Sequence, residues 1–220
     1  SNKEYYNGDA DNYYRLAQHS EVGSTLKGKD DVSLVAKKDV RIRQSNIGSE
    51  KGNVLIGSQQ GDIQVEAGRE EEQLASASKS VSRGRFGLSK TTEIRRHEHD
   101  IVQSVSSNID GKTVNLIAGQ GNVTVQGSNV VGENGLTVQA KNIDIKEAEN
   151  KFYSDDFHSK NKSGMLGRGL GVTFGAQKQT LESDKTKFYA QGSQVGSLNG
   201  NTTLIAKNHY TQTASQVSAV

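Results

Sequence analysis

The sequence predicts an all-β chain: a right-handed parallel β-helix (a solenoid) from which two long β-hairpin insertions leave at the same corner. The first observation is composition. Of the 220 residues, 32% are hydrophobic and 5% aromatic, and the mean hydropathy is −0.70. Such a chain is too polar for one thick globular core. It must be either disordered or elongated around a thin core.

The second observation is a repeat of short alternating segments, which favours the elongated fold. Val123 and Ile143 lie 20 residues apart, as do Leu116 and Leu136. Short strands repeating at this period are typical of solenoid coils that stack on one another. We expect the apolar positions to point inward. The predicted core positions are Val32, Leu34, Val54, Ile56, Leu116, Val125, Val138, Ile145 and Leu204.

A longer period lies above the coil repeat. Similar segments begin at Val22, Val105 and Val195, which predicts coils interrupted by long excursions. Val65 and Ile145 each precede such an excursion, whereas an uninterrupted coil returns to its next turn within a few residues. The predicted organisation is a single β-helix segment, 1–220, with the tail of a preceding insert at 1–19, a first insert at 68–104 and a second at 149–190. Insertions along one edge of a solenoid usually mark its working face.

Both inserts share a charge plan. Acidic residues precede a window that contains no acid, 73–92 in the first insert and 157–181 in the second. We interpret each insert as a hairpin with an acidic root and a basic tip that carries apolar side chains. The predicted surface-contact residues are Lys79, Arg83, Arg85, Phe86, Lys90, Lys160, Lys162, Met165, Leu166, Arg168, Val172, Phe174 and Lys178.

Two interpretations of these tips stay open. They are either solvated loops whose acidic roots pair with nearby cations, or contacts for an anionic, partly apolar surface such as lipopolysaccharide or a bilayer interface. Nucleic acid is disfavoured as a partner because the tips lack aromatic platforms for stacking bases. Strand edges at both ends of the coil stack would favour end-to-end self-association.

No catalytic, metal or cofactor site is predicted. The chain has no cysteine, and the best metal candidate, residues 97–100 (His-Glu-His-Asp), lacks a third ligand nearby in sequence. A polar hairpin edge is the favoured interpretation there. No apolar run reaches the roughly 18–20 residues of a membrane helix. The alternative function is a carbohydrate-active β-helix of the lyase or pectinase kind, which the scattered acids disfavour.

Some of these segments resemble a known family. The coil pattern Ser128-Asn-Val-Val-Gly, Val114-Asn-Leu-Ile-Ala and Val123-Thr-Val, together with residues 159–174, resembles the haemagglutinin-repeat region of filamentous haemagglutinin-like and CdiA-type two-partner secretion exoproteins (the TpsA family). The resemblance implies a non-enzymatic, secreted segment that passes through an outer-membrane partner transporter and is displayed on the bacterial cell surface. It also implies an adhesive or toxin-delivering role at a host or target-cell surface.

Overall fold

The computed structural model describes residues 1–84, 87–168 and 171–219, with side chains for all of these except 165–168 and 171–173. Every regular element in these ranges is a strand. The chain divides into two compact units. We call Ser20–Glu70, Gln103–Asn150 and Phe188–Val220 the coil unit, and Ser1–His19, Glu71–Val102 and Lys151–Lys187 the sheet unit.

The coil unit is built from three stacks of parallel strands. The first contains β3 (Thr25–Gly28), β6 (Asn46–Ser49), β11 (Asn108–Ala118), β13 (Asn129–Lys146), β16 (Gln194–Ser197) and β18 (Gln216–Ser218). The second joins β4 (Val32–Ala36) and β7 (Val54–Ser58) to β11, β13 and β17 (Asn201–Gln212). The third joins β5 (Val40–Arg43), β8 (Ile63–Glu66) and β12 (Val123–Gln126) to β13 and β17.

The stacking buries the period-two apolar positions. Val65, Val125 and Ile145 are paired in register on successive coils and are fully buried. The predicted inward positions are confirmed. Leu34 and Leu204 are only partly buried, because they lie in the first and last coils and have a neighbouring coil on one side only.

Two register predictions are wrong. Leu116 pairs with Val138, not with Leu136, because paired residues of β11 and β13 are 21 residues apart up to Gly111 and 22 apart from Thr113 onward, rather than 20. Val22 is not equivalent to Val195: the stack aligns Leu26 with Val195 through β6, β11 and β13, and Val22 is 83% exposed. The segments around Val22 and Val195 are similar in sequence but not equivalent in the stack, because the register is set by which side chains are buried.

A ladder of serines follows one corner of the coil unit. The backbone N–H of Ser107 donates to the Ser128 Oγ at 3.2 Å, and the N–H of Ser128 donates to the Ser193 Oγ at 3.2 Å. The same contact continues through Ser24, Ser45 and Ser215. The ladder therefore gives a hydrogen-bond partner to one backbone N–H in each of these coils. The N–H groups of Ser107 and Ser128 are buried and would be costly to leave without a partner.

Short corners need a left-handed residue just before the ladder serine. Gln44, Gly127 and Ala214 have φ values of 48°, 56° and 43°. At Gly127 an added Cβ would lie 2.4 Å from the Cβ of Ala148, so that corner requires glycine for space as well as conformation.

The sheet unit is a six-stranded sheet. Its strands are ordered β1 (Asn2–Gly8), β2 (Tyr13–Ser20), β9 (Gly68–Arg83), β10 (Ser89–Val105), β14 (Ala148–Arg168) and β15 (Gly171–Gln191). The pairings of β1 with β2 and of β10 with β14 are antiparallel and regular in register. This sheet combines three segments that lie far apart in the sequence.

Replacing Leu116 by Asp should abolish cooperative unfolding of the coil unit, because a charge without a partner would enter a fully buried apolar stack. The matched control is Ile117→Asp on the same strand, where the side chain is 37% exposed. Thermal melts followed by circular dichroism test this. Equal midpoints for both variants and the wild type would refute the inward assignment.

Replacing Ser128 by Ala should cost about 1–3 kcal/mol of the free energy of unfolding, since the Ser107 N–H would lose its acceptor in a buried position. Ser33→Ala, at an exposed position of β4, serves as the control and should unfold as the wild type does. Denaturant titration measures both. A Ser128→Ala variant as stable as its control would show that the ladder contributes nothing.

Candidate functional site

The strands of the sheet unit place charged side chains on two opposite faces. Successive residues of a strand alternate between faces, and residues paired across an antiparallel ladder share one. His97 pairs with Asp156, and Arg95 pairs with His158. The face that carries these four side chains, together with Glu93 and His99 at the alternate positions of β10, is called the histidine face.

A continuous run of polar contacts crosses the histidine face. The Gln18 amide donates to Glu72 Oε2 at 2.7 Å, and Glu72 Oε1 lies 3.0 Å from His99 Nε2. His99 Nδ1 lies 3.4 Å from His97 Nε2, and His97 Nδ1 lies 2.6 Å from Asp156 Oδ1. The two imidazole rings meet edge to face with centroids 5.6 Å apart. These contacts connect β2, β9, β10 and β14.

Two glutamates that contact these histidines, Glu72 and Glu93, have pKa values below the ordinary glutamate value. Hydrogen bonds from Gln18, and then from His99, keep the pKa of Glu72 below its ordinary value. Hydrogen bonds from Arg95, and then from His158, lower the pKa of Glu93 in the same way. His158 Nε2 lies 2.9 Å from Glu93 Oε1. Each described histidine of β10 and β14 thus has a carboxylate from a different strand beside it.

The opposite face carries aromatic and basic side chains. The Arg15 guanidinium lies 5.1 Å from the centroid of Tyr6 and 4.8 Å from that of Tyr13, which is within cation–π range. A cavity of about 830 Å³ is lined by residues of β1, β2, β9, β10 and β14, among them Glu98 and Tyr153. Burial, reinforced by Asp155, Glu98 and Asp184, raises the pKa of Tyr153.

The predicted contact residues are distributed over both faces. Lys160 and Lys162 pair with Glu93 and Thr91 and are therefore on the histidine face, whereas Lys90 pairs with Ser163 and lies on the opposite one. All three lysines are exposed.

The remaining contact predictions differ in their surroundings. Lys79 forms an ion pair with Asp11 at 2.8 Å. Arg83, Phe174 and Lys178 are exposed, Phe174 by 71%. Arg85 and Phe86 lie outside the described residues, as do the side chains of Met165, Leu166, Arg168 and Val172.

Sequence reasoning identified the histidines but missed their partners. Glu72 and Asp156 belong to the acidic segments that were interpreted as hairpin roots, and no sequence pattern marks Gln18 as their partner. The alternation of His97 and His99 was visible, whereas the register that brings Asp156 opposite His97 was not. In the described ranges, no group of three or more His, Cys, Asp or Glu side chains is arranged to hold a metal ion.

No helix in the described part of the chain has the length and apolar character needed to cross a membrane.

Comparison with known proteins shows that the sequence is similar to a family of repeat proteins. The hemagglutinin repeat family model matches residues 12–97 and 87–220. No solved structure matches the chain.

Several curated relatives are much longer proteins. The "tRNA nuclease CdiA-2" of Burkholderia pseudomallei is 28% identical over 84% of this chain and 6% of its own length. The "tRNA nuclease CdiA" of Yersinia mollaretii is 34% identical over 68% of this chain and 5% of the relative. The "16S rRNA endonuclease CdiA" of Enterobacter cloacae is 34% identical over 66% of the chain and 5% of the relative. The chain therefore spans only a small fraction of the proteins it matches.

The pKa of Glu72 should be measurably below the ordinary glutamate value of about 4.3. Replacing Gln18 by Ala should move it back upward, because the largest stabilising hydrogen bond to the carboxylate is removed. Since the folded pKa is depressed, the stability that this contact contributes is present above pH 4.3 or so and is lost as the pH falls through the folded pKa. Carbon-detected NMR titration of the side-chain carboxyl measures the pKa. An identical value in both proteins would contradict the assigned cause.

Proposed function

Because this chain belongs to the hemagglutinin repeat family, we propose that it is a non-catalytic structural segment of a secreted two-partner exoprotein. The segment is exported through an outer-membrane partner transporter and displayed at the bacterial cell surface. It carries hairpins that contact the envelope of a host or target cell. The nuclease activities in the names of its relatives are proposed to belong to regions outside the 5–6% of their lengths that this chain matches.

One observation carries the structural role: burial rises from the ends of the coil stack to its middle. Leu26, Ile47 and Ile109 occupy one inward position on successive coils. Leu26 is 44% exposed, while the other two are 5% and 1% exposed. An inward leucine left this open is completed by another coil stacking on β3. The same edges would support end-to-end self-association of the chain.

The long strands are proposed to be hairpin insertions into a right-handed β-helix. Val65 and Ile145, which are both in register with Val125, precede the two excursions. The chain rejoins the stack at Ser107 and Ser193, both of which belong to the serine ladder. Insertions that leave and return at equivalent positions can lengthen without disturbing the coils, so they are suited to carry variable contacts. Residues 1–19 are proposed to be the tail of a preceding insertion.

The histidine face and the exposed side chains beyond it supply the proposed envelope contact. Lys160 and Lys162 are exposed on this face, and Phe174 presents a ring that is 71% exposed. Cations near an anionic lipid surface are attracted by about 1 kcal/mol each. A buried aromatic ring adds an apolar contribution that salt does not screen. An anionic lipid surface such as lipopolysaccharide is therefore the proposed partner.

Vesicles containing lipopolysaccharide should co-sediment with the chain, and binding should fall without vanishing as salt rises, because only the charge contribution is screened. Replacing Lys160 and Lys162 by Gln should weaken binding at low salt by roughly thirtyfold, because about 1 kcal/mol is lost for each of the two cations. Phe174→Ser should lower the part that persists in high salt.

The matched control replaces Lys37 and Lys38, which are exposed in the coil unit, by Gln. This variant has the same net charge as the Lys160/Lys162 variant and should bind as the wild type does. Equal weakening in both double variants would mean that net charge alone drives association. Failure of the wild-type chain to bind at low salt would refute the envelope contact.

A further inference from the structure

The two histidines of β10 face each other across a short gap. His97 and His99 alternate on the strand and so project from the same face of the sheet. Their near nitrogens, His97 Nε2 and His99 Nδ1, are 3.4 Å apart. Whether each of these nitrogens donates or accepts a hydrogen bond depends on which nitrogen of the ring carries the proton. The neighbouring carboxylates determine that position.

The carboxylates fix the tautomer of each ring. An ionised carboxylate only accepts hydrogen bonds, so the nitrogen facing it must carry a proton. His97 Nδ1 faces Asp156 at 2.6 Å, and His99 Nε2 faces Glu72 at 3.0 Å. In the neutral rings, therefore, both nitrogens in the gap present lone pairs to each other.

Two lone pairs at this separation repel each other unless a cation lies between them. With zinc–nitrogen bonds of about 2.0–2.1 Å, a 3.4 Å separation of the nitrogens gives an N–Zn–N angle of about 110°, which is close to tetrahedral. The arrangement also has histidine ligands whose second nitrogens donate to carboxylates, as protein metal sites usually do.

Access to the gap is open from solvent. The side chain of His97 is 43% exposed and that of His99 is 18% exposed. An ion can enter here and keep water as its remaining ligands. The described residues offer no third protein ligand, which limits the site to two imidazoles.

We propose that His97 Nε2 and His99 Nδ1 form a two-imidazole binding site for a divalent transition-metal ion such as Zn²⁺. Glu72 and Asp156 orient the rings from the neighbouring strands β9 and β14. A bound ion would lock the side chains that connect these strands. The site lies on the same face as the proposed envelope contact but uses different side chains, and it requires neither lipid nor the lysines.

The test is a calorimetric titration of the purified chain with Zn²⁺ alone at neutral pH. One ion per chain should bind, and His97→Gln or His99→Gln should each weaken binding by at least about tenfold, because one of two ligands is lost. Glu72→Gln should weaken binding by about tenfold or more through loss of ring orientation. Binding should also weaken in acid, because protons compete with the metal ion for the imidazole nitrogens.

His158→Gln is the matched control. His158 lies on the same face, also contacts a carboxylate, and is similarly exposed at 41%, but it has no partner imidazole among its described contacts. Its removal should change the affinity for Zn²⁺ by less than about twofold. An affinity reduced equally by His158→Gln would indicate diffuse binding to surface histidines and would overturn the proposal.

A second measurement keeps the test independent of the variants. In the wild-type chain, adding Cu²⁺ in substoichiometric amounts should broaden the imidazole NMR signals of His97 and His99 before those of His158 and His19. Absence of Zn²⁺ binding in calorimetry would show that the gap does not hold a metal ion, and broadening of all four rings together would show unselective binding to exposed histidines; either result overturns the proposal.

Discussion

Parallel pairing of backbone between successive coils is the constraint on which the coil unit depends. A coil contributes only a few inward side chains, so no coil can bury them alone, and each needs a neighbour above and below. The in-register column Val65, Val125 and Ile145 is fully buried, whereas Leu26 at the end of its own column is not. Stability is thus a property of neighbours rather than of any one strand.

The same constraint explains why the stack tolerates intervening segments of several tens of residues. A segment that leaves the stack must return to the position where the next backbone N–H meets a serine oxygen, or the ladder is broken. Ser107 and Ser193 mark such returns, and both are buried. Where no segment intervenes, one residue turns the corner in the left-handed conformation, as Gly127 does. The corner chemistry therefore permits either one residue or several tens of residues.

Much of the coil unit was predictable from the sequence because its signal is local and repeated. Alternating Val, Ile and Leu specify which side chains point inward, and the period of about 20 residues indicates stacking. The register was less predictable. The spacing between paired residues is not constant between β11 and β13, so a fixed period aligned Leu116 with Leu136 and missed Val138. The expected and observed partners of Leu116 differ by two residues, so both point inward, and the alternating sequence pattern does not distinguish them.

The sheet unit was much less predictable, since its contacts join segments that are distant in the sequence. Charge windows showed that both predicted inserts have acidic and basic parts, but the pairing partners depend on which strand lies next to which. Gln18, Glu72, His99 and Asp156 come from four strands and meet only because β2, β9, β10 and β14 are neighbours. The histidine pair resembles a polar edge when β10 is considered alone. Carboxylates from two neighbouring strands orient its ring nitrogens. The chemistry of this face is a consequence of strand order, which no local pattern encodes.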